Sequence, residues 1–471
     1  MEELKTIVGL KGKLYNFQLK GVEFFIRNNG RVILADECGI GKSVQALAYV
    51  AHEKLSKVLI ICPASVKYAW ESEIKKWIYS SSFVINSKTK LTEEILNNYN
   101  IFVINYDLLL KFFPLLSITK FDCLIGDESH YIKSPSTRRC KLVRKLSRNI
   151  PRILLLSGTP MLSRPIELFS SLNLIDPKTW NNWWEYSRRF CNGHQTHWGY
   201  YDCSGATNIA ELREKISKYF LRRTKAQVLP ELPPKTYINL PVELKNDYQV
   251  KYKIAEKNLI EYLRNIKNKT EAEINKSLQA EALVKLNELR QIASEGKIEH
   301  SQEIIGNIIQ GGEKVVVFSV YNKPLLQLKE YFKSKAVMII GSTSEQERRE
   351  NIKRFQNDRS CLIFLGGTKS AGIGITLTSA SSVFFIDFDF VPANMQQSQD
   401  RIHRPGQTAK KVFIYQLFAK NTIDEKIQYL LRKKQELINE LIENKNFIVE
   451  KETNIINELI EVYEKNKMPK M

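Results

Sequence analysis

Hydrophobic residues are concentrated in short runs, each followed by turn residues, in two separate parts of the chain. These runs are too short for buried helices and too continuously apolar for strands with one exposed face, so they predict the buried strands of parallel sheets. Amphipathic helical stretches lie between them, which predicts repeated βαβ units. The first series occupies 31–36, 58–64, 101–107, 121–128 and 152–160, and the second occupies 315–320, 337–340, 361–367, 382–388 and 411–418.

The strand pattern stops between the two series, where residues 244–300 have the Lys/Glu/Asn-rich pattern of long helices, and it stops again after about residue 421. The sequence therefore predicts an α/β fold with two parallel-sheet lobes, a helical insertion between them and a C-terminal helical extension. A disordered tail is the alternative for the last part. The predicted boundaries are 1–175 for the first lobe, 176–300 for the insertion and linker, 301–430 for the second lobe and 431–471 for the extension.

A glycine-bearing loop joins the first predicted strand to the helix that follows it, in the segment RVILADECGIGKS. Gly39 and Gly41 let the backbone curve around a phosphate, with its amides directed at the phosphate oxygens. In such a loop Lys42 reaches the β- and γ-phosphates and the Ser43 hydroxyl ligates Mg²⁺. Asp36 stands where a strict P-loop has glycine, so a chance match is the alternative, although its position between a strand and a helix disfavours chance.

Two acids and two hydroxyl residues follow later strands of the first series. Asp127 and Glu128 come at the end of an apolar strand, where α/β sheets bind ligands. A P-loop ATPase needs one acid for the Mg²⁺ shell and one to orient the attacking water, and these two fit the roles in that order. Ser157 and Thr159 could relay between phosphate and nucleic-acid sites. The alternatives are ordinary loop acids and an ordinary strand-to-turn segment.

Two arginines stand three residues apart near the end of the second strand series, in QSQDRIHRPGQ. The spacing puts Arg401 and Arg404 on one helix face or turn. They are candidates for arginine fingers that reach across an interlobe cleft to the γ-phosphate. A solvated basic helix is the alternative.

A zinc site is a further possibility, because four potential ligands lie within a short stretch: Cys191, His194, His197 and Cys203. Their spacing is not one of the common closed-site patterns. The aromatic residues Trp198, Tyr200 and Tyr201 among them favour a packed loop instead.

Net charge indicates the class of partner, and cysteine usage indicates the compartment of the protein. The 471 residues include 71 Lys or Arg against 51 Asp or Glu, a net charge of +20, which favours a polyanionic partner. That partner is nucleic acid or an anionic membrane face, and no apolar run reaches the ~18 residues of a membrane-spanning helix. Seven scattered cysteines without a CxxC pair fit reduced thiols in a cytosolic or nuclear-type compartment.

The order of the motifs resembles that of the Swi/Snf-type ATPases of helicase superfamily two, and within them the HARP-like annealing-helicase branch. The resemblance runs from about residue 14 to 430. Eleven segments in register carry it: YNFQLKGVEFF, DECGIGKS, ICPASVKYAWESEIKKW, INYDLL, DESH, LSGTPMLSRPIELF, RFCNGHQTHWGYYDCSGATNIAEL, LRRTKAQVLPELPPK, IIGSTSEQERRENIKRFQ, TKSAGIGITLTSAS and QSQDRIHRPGQ.

The resemblance implies two RecA-like lobes with ATP bound in the cleft and duplex DNA across their top. It makes Gln18 the residue that reads adenine, and Gln397 the first residue of the last nucleotide-contacting motif. It assigns phosphate and Mg²⁺ contacts to Lys42 and Ser43, hydrolysis to Asp127 and Glu128, and the arginine fingers to Arg401 and Arg404. The family does not use Cys191 and its neighbours as metal ligands.

For DNA, the resemblance implies sequence-independent contacts with the backbone near Ser65, Thr159 and the turn bearing Gly372 and Gly374. The implied function is ATP- and Mg²⁺-dependent translocation on double-stranded or branched DNA, with remodelling or reannealing of strands. We therefore expect an intracellular protein that is located with DNA and has no membrane partner. A strand-separating DNA helicase and an RNA-directed ATPase are the enzymatic alternatives. A non-enzymatic DNA-binding scaffold is the alternative of another class.

Overall fold

The structure, a computed structural model, describes residues 6–158, 160–161, 164–196, 201–267, 276–368, 370–371, 375–429 and 431. Two compact units divide the chain. The first is built mainly from residues up to 194 together with 202–232, and the second mainly from residues from 233 onward. Of the predicted C-terminal extension, all but residue 431 lies outside the described residues.

The first unit contains a seven-stranded sheet in which every pair of neighbours is parallel, in the order β3-β4-β2-β5-β6-β1-β9. All five strands predicted for this part of the chain are confirmed. The strands are β1 Arg31–Leu34, β2 Val58–Cys62, β3 Ser82–Val84, β4 Ile101–Asn105, β5 Cys123–Asp127, β6 Arg152–Leu156 and β9 Phe220–Leu221. Two short strands, β7 His194–Gln195 and β8 Tyr201–Asp202, lie outside this sheet.

Helices alternate with these strands and bury their apolar faces against the sheet. Side chains such as Leu124 and Leu155 of the strands share one core with Leu172 and Tyr186 of later helices. The helices are α1 Asn16–Arg27, α2 Lys42–His52, α3 Lys67–Trp77, α4 Glu93–Asn98, α5 Leu109–Ile118, α6 Arg138–Ser147, α7 Phe169–Ile175, α8 Trp183–Phe190, α9 Ile209–Ser217 and α10 Lys225–Val228.

The second unit contains a six-stranded parallel sheet in the order β10-β15-β14-β11-β13-β12. All five strands predicted for it are confirmed, and β10 is an addition from the segment expected to be helical. Residues of β10 alternate between half-buried and exposed, the pattern of an edge strand, so they form no apolar run. The strands are β10 Lys235–Val242, β11 Val315–Ser319, β12 Ala336–Ile339, β13 Ile363–Gly367, β14 Ser382–Phe385 and β15 Val412–Ala419.

The long helices predicted within 244–300 are present, and their buried residues join the core of the second sheet. Leu259 and Leu289 belong to the same cluster as Phe364 and Phe385 of the strands. The helices of this unit are α11 Asn246–Lys267, α12 Lys276–Gly296, α13 Ile298–Gln310, α14 Asn322–Phe332, α15 Glu345–Asn357 and α16 Pro392–Gln399. Within the described ranges, no helix is long and apolar enough to cross a membrane.

Candidate nucleotide-binding site

The glycine-bearing loop lies between β1 and α2, at the carboxyl edge of the first sheet. Gly39 and Gly41 have φ values of +92° and +90°, a left-handed backbone that favours glycine. A Cβ atom on Gly41 would lie only 2.5 Å from Gln18 Nε2, so a larger residue here would displace the Gln18 amide. The loop ends at the N-terminus of α2, where free amides and the helix dipole favour an anion.

Lys42 begins α2 and folds back over the loop. Its Nζ donates to the carbonyl oxygens of Asp36, at 2.8 Å, and Glu37, at 3.4 Å. The segment after β6 passes beside it, because a Cβ atom on Gly158 would lie 3.4 Å from Lys42 Nζ. Ser43 is the next residue of the same helical turn. The cation and hydroxyl predicted for phosphate chemistry therefore share one end of one helix.

Asp127 ends β5 and is held by donors from two sides. Trp70 Nε1 donates to Oδ2 at 2.8 Å, and the Glu128 backbone N–H donates to Oδ1 at 3.0 Å. Burial, and next the charge of Glu128, raise the pKa of Asp127 to about 6, while the Trp70 bond and Lys42 oppose that rise. The Tyr106 hydroxyl donates to the backbone carbonyl of Asp127 at 2.8 Å. The carboxylate is thus fixed in place and close enough to Lys42 to be influenced by its charge.

Glu128 has a left-handed backbone, with φ +49°, at the start of a 3-10 turn over Ser129–Ile132. Its Oε2 lies 3.3 Å from His130 Nδ1 and 3.3 Å from Ser157 Oγ. A non-glycine residue in this conformation is strained, and such strain is concentrated at functional sites. Ser157, predicted as a relay residue, therefore contacts the second acid directly.

Two other predicted residues of the first unit lie at the same sheet edge. Gln18 is buried; its Nε2 donates to the Ile40 carbonyl of the loop at 3.0 Å, and its Oε1 accepts from the Tyr15 N–H at 3.0 Å. Ser65 is exposed in a 3-10 turn that follows β2. Thr159 lies outside the described residues.

The predicted arginines of the second unit occupy a turn beyond α16, which ends at Gln399. Arg401 is buried and donates to the carbonyl oxygens of Gln397, at 2.9 Å, and Ile375, at 3.3 Å. Arg404 donates to the Asp400 carbonyl at 2.7 Å and to Thr376 Oγ1 at 3.0 Å. The spacing of these two arginines allowed either one helix face or a turn, and the structure shows a turn. Gly372 and Gly374 lie outside the described residues.

Three residues that hold this site received no role in the sequence analysis: Trp70, Gln45 and Arg223. Gln45 and Arg223 form a buried network with Asp36, and Trp70 bonds Asp127. Trp70 and Arg223 fall inside segments that carry the family resemblance, which was the available signal. Nothing in their spacing from the loop or the acids pointed to these contacts.

The cluster considered for zinc has a buried cysteine at its start. Burial, and next the charge of Cys203, raise the pKa of the Cys191 thiol, which favours the protonated form over the thiolate that binds metals. His194 Nδ1 lies 2.7 Å from the Asn192 carbonyl oxygen. His197, Trp198 and Tyr200 lie outside the described residues, and no group of three potential metal ligands occurs within the described part of the chain.

Comparison with known proteins gives two family matches, "SNF2-related domain" over residues 17–297 and "Helicase conserved C-terminal domain" over residues 296–406. The chain is 31% identical over 454 residues to the Bos taurus protein "DNA annealing helicase and endonuclease ZRANB3", covering 93% of this chain and 41% of that protein. It is also 31% identical to the Caenorhabditis elegans "SWI/SNF-related matrix-associated actin-dependent regulator of chromatin subfamily A-like protein 1 homolog", covering 93% and 64%.

The chain therefore spans between two fifths and two thirds of the length of these two relatives. Among solved structures, "Sulfolobus solfataricus SWI2/SNF2 ATPase core in complex with dsDNA" is 27% identical. That match has a TM-score of 0.46 and covers 94% of this chain and 95% of the other.

Proposed function

Because this chain belongs to the SNF2-related domain family, we propose that it is a DNA-dependent ATPase that translocates on double-stranded or branched DNA. In this proposal the motion remodels DNA structures or reanneals strands, and it takes place inside the cell. The observation that carries the proposal is the meeting of Lys42, Asp127 and Glu128 at one sheet edge, beside a loop whose two glycines have positive φ.

The phosphates of ATP are the ligand that this loop suits. The backbone amides around Gly39 and Gly41 and the start of α2 offer donors to phosphate oxygens. Lys42 donates to two loop carbonyls in the structure, so binding of ATP exchanges those contacts for the β- and γ-phosphates. Gln18 contacts the same loop and is our candidate for reading the adenine base.

Mg²⁺ fits the oxygen donors beside this loop. The hydroxyl of Ser43 and the carboxylate of Asp127 are hard ligands of the kind that Mg²⁺ prefers. Asp127 is a half-buried carboxylate with a raised pKa, and a nearby divalent cation would stabilise its ionised form. When bound, the ion neutralises negative charge on the phosphates.

Hydrolysis needs a base that is held in a fixed orientation. His130 and Ser157 both contact the Glu128 carboxylate, which suits it to orient the attacking water. Arg401 and Arg404 are proposed as the arginine fingers that stabilise charge on the γ-phosphate.

DNA contact is assigned to segments near Ser65, Thr159, Gly372 and Gly374, together with the general positive charge of the chain. Contacts of this type go to phosphates, so we expect binding that is nearly independent of sequence and falls steeply with salt. The names of the relatives, one an annealing helicase and the other a chromatin regulator, support DNA as the substrate.

Steady-state ATP hydrolysis tests the proposal. The purified chain is assayed alone and with duplex DNA, forked DNA, single-stranded DNA or RNA, beside Lys42→Ala. We expect duplex or forked DNA to stimulate hydrolysis strongly, and we expect Lys42→Ala to lower the rate by about 100-fold or more while DNA affinity is retained.

The alternatives give different results in the same series. Displacement of a fully paired strand during ATP turnover indicates a strand-separating helicase, and stimulation by RNA alone indicates an RNA-directed ATPase. A folded chain that binds DNA and hydrolyses no ATP with any polymer overturns the proposal in favour of a scaffold.

A further inference from the structure

Residues 219–225, which we call the clasp, run alongside β1 and the beginning of the phosphate loop. Three backbone bonds join them: Ile33 N–H donates to Tyr219 O at 2.8 Å, Ala35 N–H to Leu221 O at 2.7 Å, and Glu37 N–H to Arg223 O at 3.0 Å. These backbone hydrogen bonds therefore continue beyond the end of β1 and hold both neighbours of Asp36, which are Ala35 and Glu37.

The side chain of Arg223 forms a buried ion pair with Asp36. The Asp36 side chain has no exposed surface, and Arg223 contacts both of its oxygens, with Nε 3.0 Å from Oδ1 and Nη2 beside Oδ2. Gln45 of α2 completes the network, because it accepts from Arg223 Nη2 at 2.7 Å and donates to Asp36 Oδ2 at 3.2 Å. A planar guanidinium that bonds both oxygens fixes orientation as well as charge.

Helix α1 packs closely against this network at Gly21. A Cβ atom on Gly21 would overlap Gln45 Oε1 and lie 2.9 Å from Arg223 Nη2. Arg223 Nη1 also donates to the Phe17 carbonyl, one residue before Gln18. The same guanidinium thus touches the loop, helix α2 and the segment that bears the adenine-reading candidate.

Asp36 links this network to the phosphate-binding lysine. Its backbone carbonyl is the 2.8 Å acceptor of Lys42 Nζ. Arg222, next to Arg223, donates to the carbonyls of Ala35, at 2.7 Å, and Gly158, at 2.8 Å. The clasp therefore fixes the position of the loop carbonyls that accept hydrogen bonds from Lys42.

We propose that Arg223 is a positioning residue of the nucleotide site: by holding Asp36 in a bidentate pair, it sets the curvature of the phosphate loop and the position of Lys42. The inference rests on the proposed function, since it concerns the same nucleotide site. Removal of the pair weakens nucleotide binding much more than DNA binding.

The test compares the variants Arg223→Lys and Arg223→Gln with the wild-type chain. Arg223→Lys keeps the charge and loses the bidentate geometry. The matched control is Arg189→Gln, which breaks an exposed arginine–carboxylate pair with Glu211 (2.8 Å) in the same unit. Circular dichroism and thermal melting first establish the temperatures at which each variant is folded. At those temperatures, affinity for a fluorescent ADP is measured in EDTA, followed by the KM and kcat for ATP and the affinity for duplex DNA.

We expect Arg223→Lys to weaken ADP binding and raise the KM for ATP by between about tenfold and about a hundredfold, because small displacements of positioning groups have effects of that size. The kcat and the DNA affinity change by less, and Arg189→Gln matches the wild-type chain. A folded Arg223→Lys variant with wild-type ADP affinity and KM overturns the inference. Equal losses of ADP and DNA affinity overturn it too, because they indicate a general structural role.

The double variant Asp36→Asn/Arg223→Gln separates positioning from charge compensation, since it leaves no buried charge unpaired. We expect it to melt near the wild-type temperature and still to bind ADP weakly; recovery of ADP affinity overturns the inference. Because ADP binding needs no turnover, its outcome is independent of the proposed function. A wild-type chain that binds ADP and hydrolyses no ATP overturns the proposed function alone.

Discussion

The phosphate loop of the first unit and the arginine turn of the second unit are held in related but unequal ways. Each contains a buried aspartate that is neutralised by a cation from outside the motif: Arg223 pairs with Asp36, and Lys235 pairs with Asp400 at 3.0 Å. Arg223 bonds both oxygens of its partner, whereas the Lys235 ammonium and the Gln396 amide both donate to Oδ1 of Asp400. The guanidinium of Arg223 therefore fixes the orientation of the Asp36 carboxylate, whereas the ammonium group of Lys235 mainly neutralises the charge of Asp400.

The functional cations differ as well. Lys42 donates to carbonyls of its own loop, whereas Arg401 donates both to Gln397 of its own motif and to the Ile375 carbonyl, 26 residues away. In both units the motif supplies the reactive groups, and a residue outside the motif holds them in position.

Arg404→Ala has the largest expected effect. If Arg404 is an arginine finger, we expect kcat for ATP to fall by about 1,000-fold, with a smaller change in nucleotide affinity, the reverse of the effect expected at Arg223. The control is Arg349→Ala, which removes an exposed arginine of the same unit paired with Glu345. Steady-state kinetics and ADP binding measure both variants, and a wild-type kcat in Arg404→Ala contradicts the assignment.

Lys235→Met tests the second ion pair. Asp400 has no exposed side-chain surface, so removal of its cation leaves a buried charge and lowers the free energy of unfolding by about 3 kcal/mol. Lys323→Met breaks an exposed pair with Glu295 in the same unit and serves as the control, with an expected loss below about 1 kcal/mol. Denaturant unfolding measures the difference. Equal, small losses in the two variants contradict a structural role for Lys235.

Trp70→Phe changes a residue of the first unit and has the smallest expected effect. Asp127 has a pKa raised to about 6 and must be ionised to ligate Mg²⁺, so activity falls as the pH drops through about 6. Loss of the indole donor raises this pKa further, and we expect the acidic limb of kcat/KM to move up by about one pH unit. The control is Trp77→Phe on the same helix, because Trp77 donates to Glu73 at 2.8 Å, away from the acids.

Protonation of Asp127 affects stability and activity in opposite directions, so this titration can be distinguished from acid unfolding. Since the pKa of Asp127 is higher in the folded chain than its ordinary value, the folded state binds the proton more tightly. The contribution of this group to the free energy of unfolding therefore increases as the pH falls through about 6, while activity decreases. An acidic limb that stays in place in Trp70→Phe contradicts the assigned hydrogen bond.

The ten predicted strands could be found because buried parallel strands are apolar along nearly their whole length, as in Ile101–Asn105 and Val315–Ser319. The missed strands lack that signal. Ser82–Val84 is three half-buried residues, Phe220–Leu221 is two, and Lys235–Val242 alternates in exposure at a sheet edge. Edge position and short length remove the hydrophobic pattern on which prediction depends.

The candidate site divides in the same way. The residues of the phosphate loop and of the acid pair are close in sequence, so their spacing predicts their chemistry. Arg223 lies 187 residues from Asp36, and Trp70 lies 57 residues from Asp127. Only the folded sheet brings these pairs together. Their contacts could not be derived from spacing.

The left-handed backbone of Glu128 has a consequence for the evolution of this chain. A glycine adopts that conformation freely, whereas a glutamate is held in it at a cost of about 1 kcal/mol or more. Glycine at this position would relieve the strain and remove the carboxylate proposed to orient water. Selection for thermal resistance alone, without selection for turnover, would therefore favour mutations that inactivate the chain at this residue.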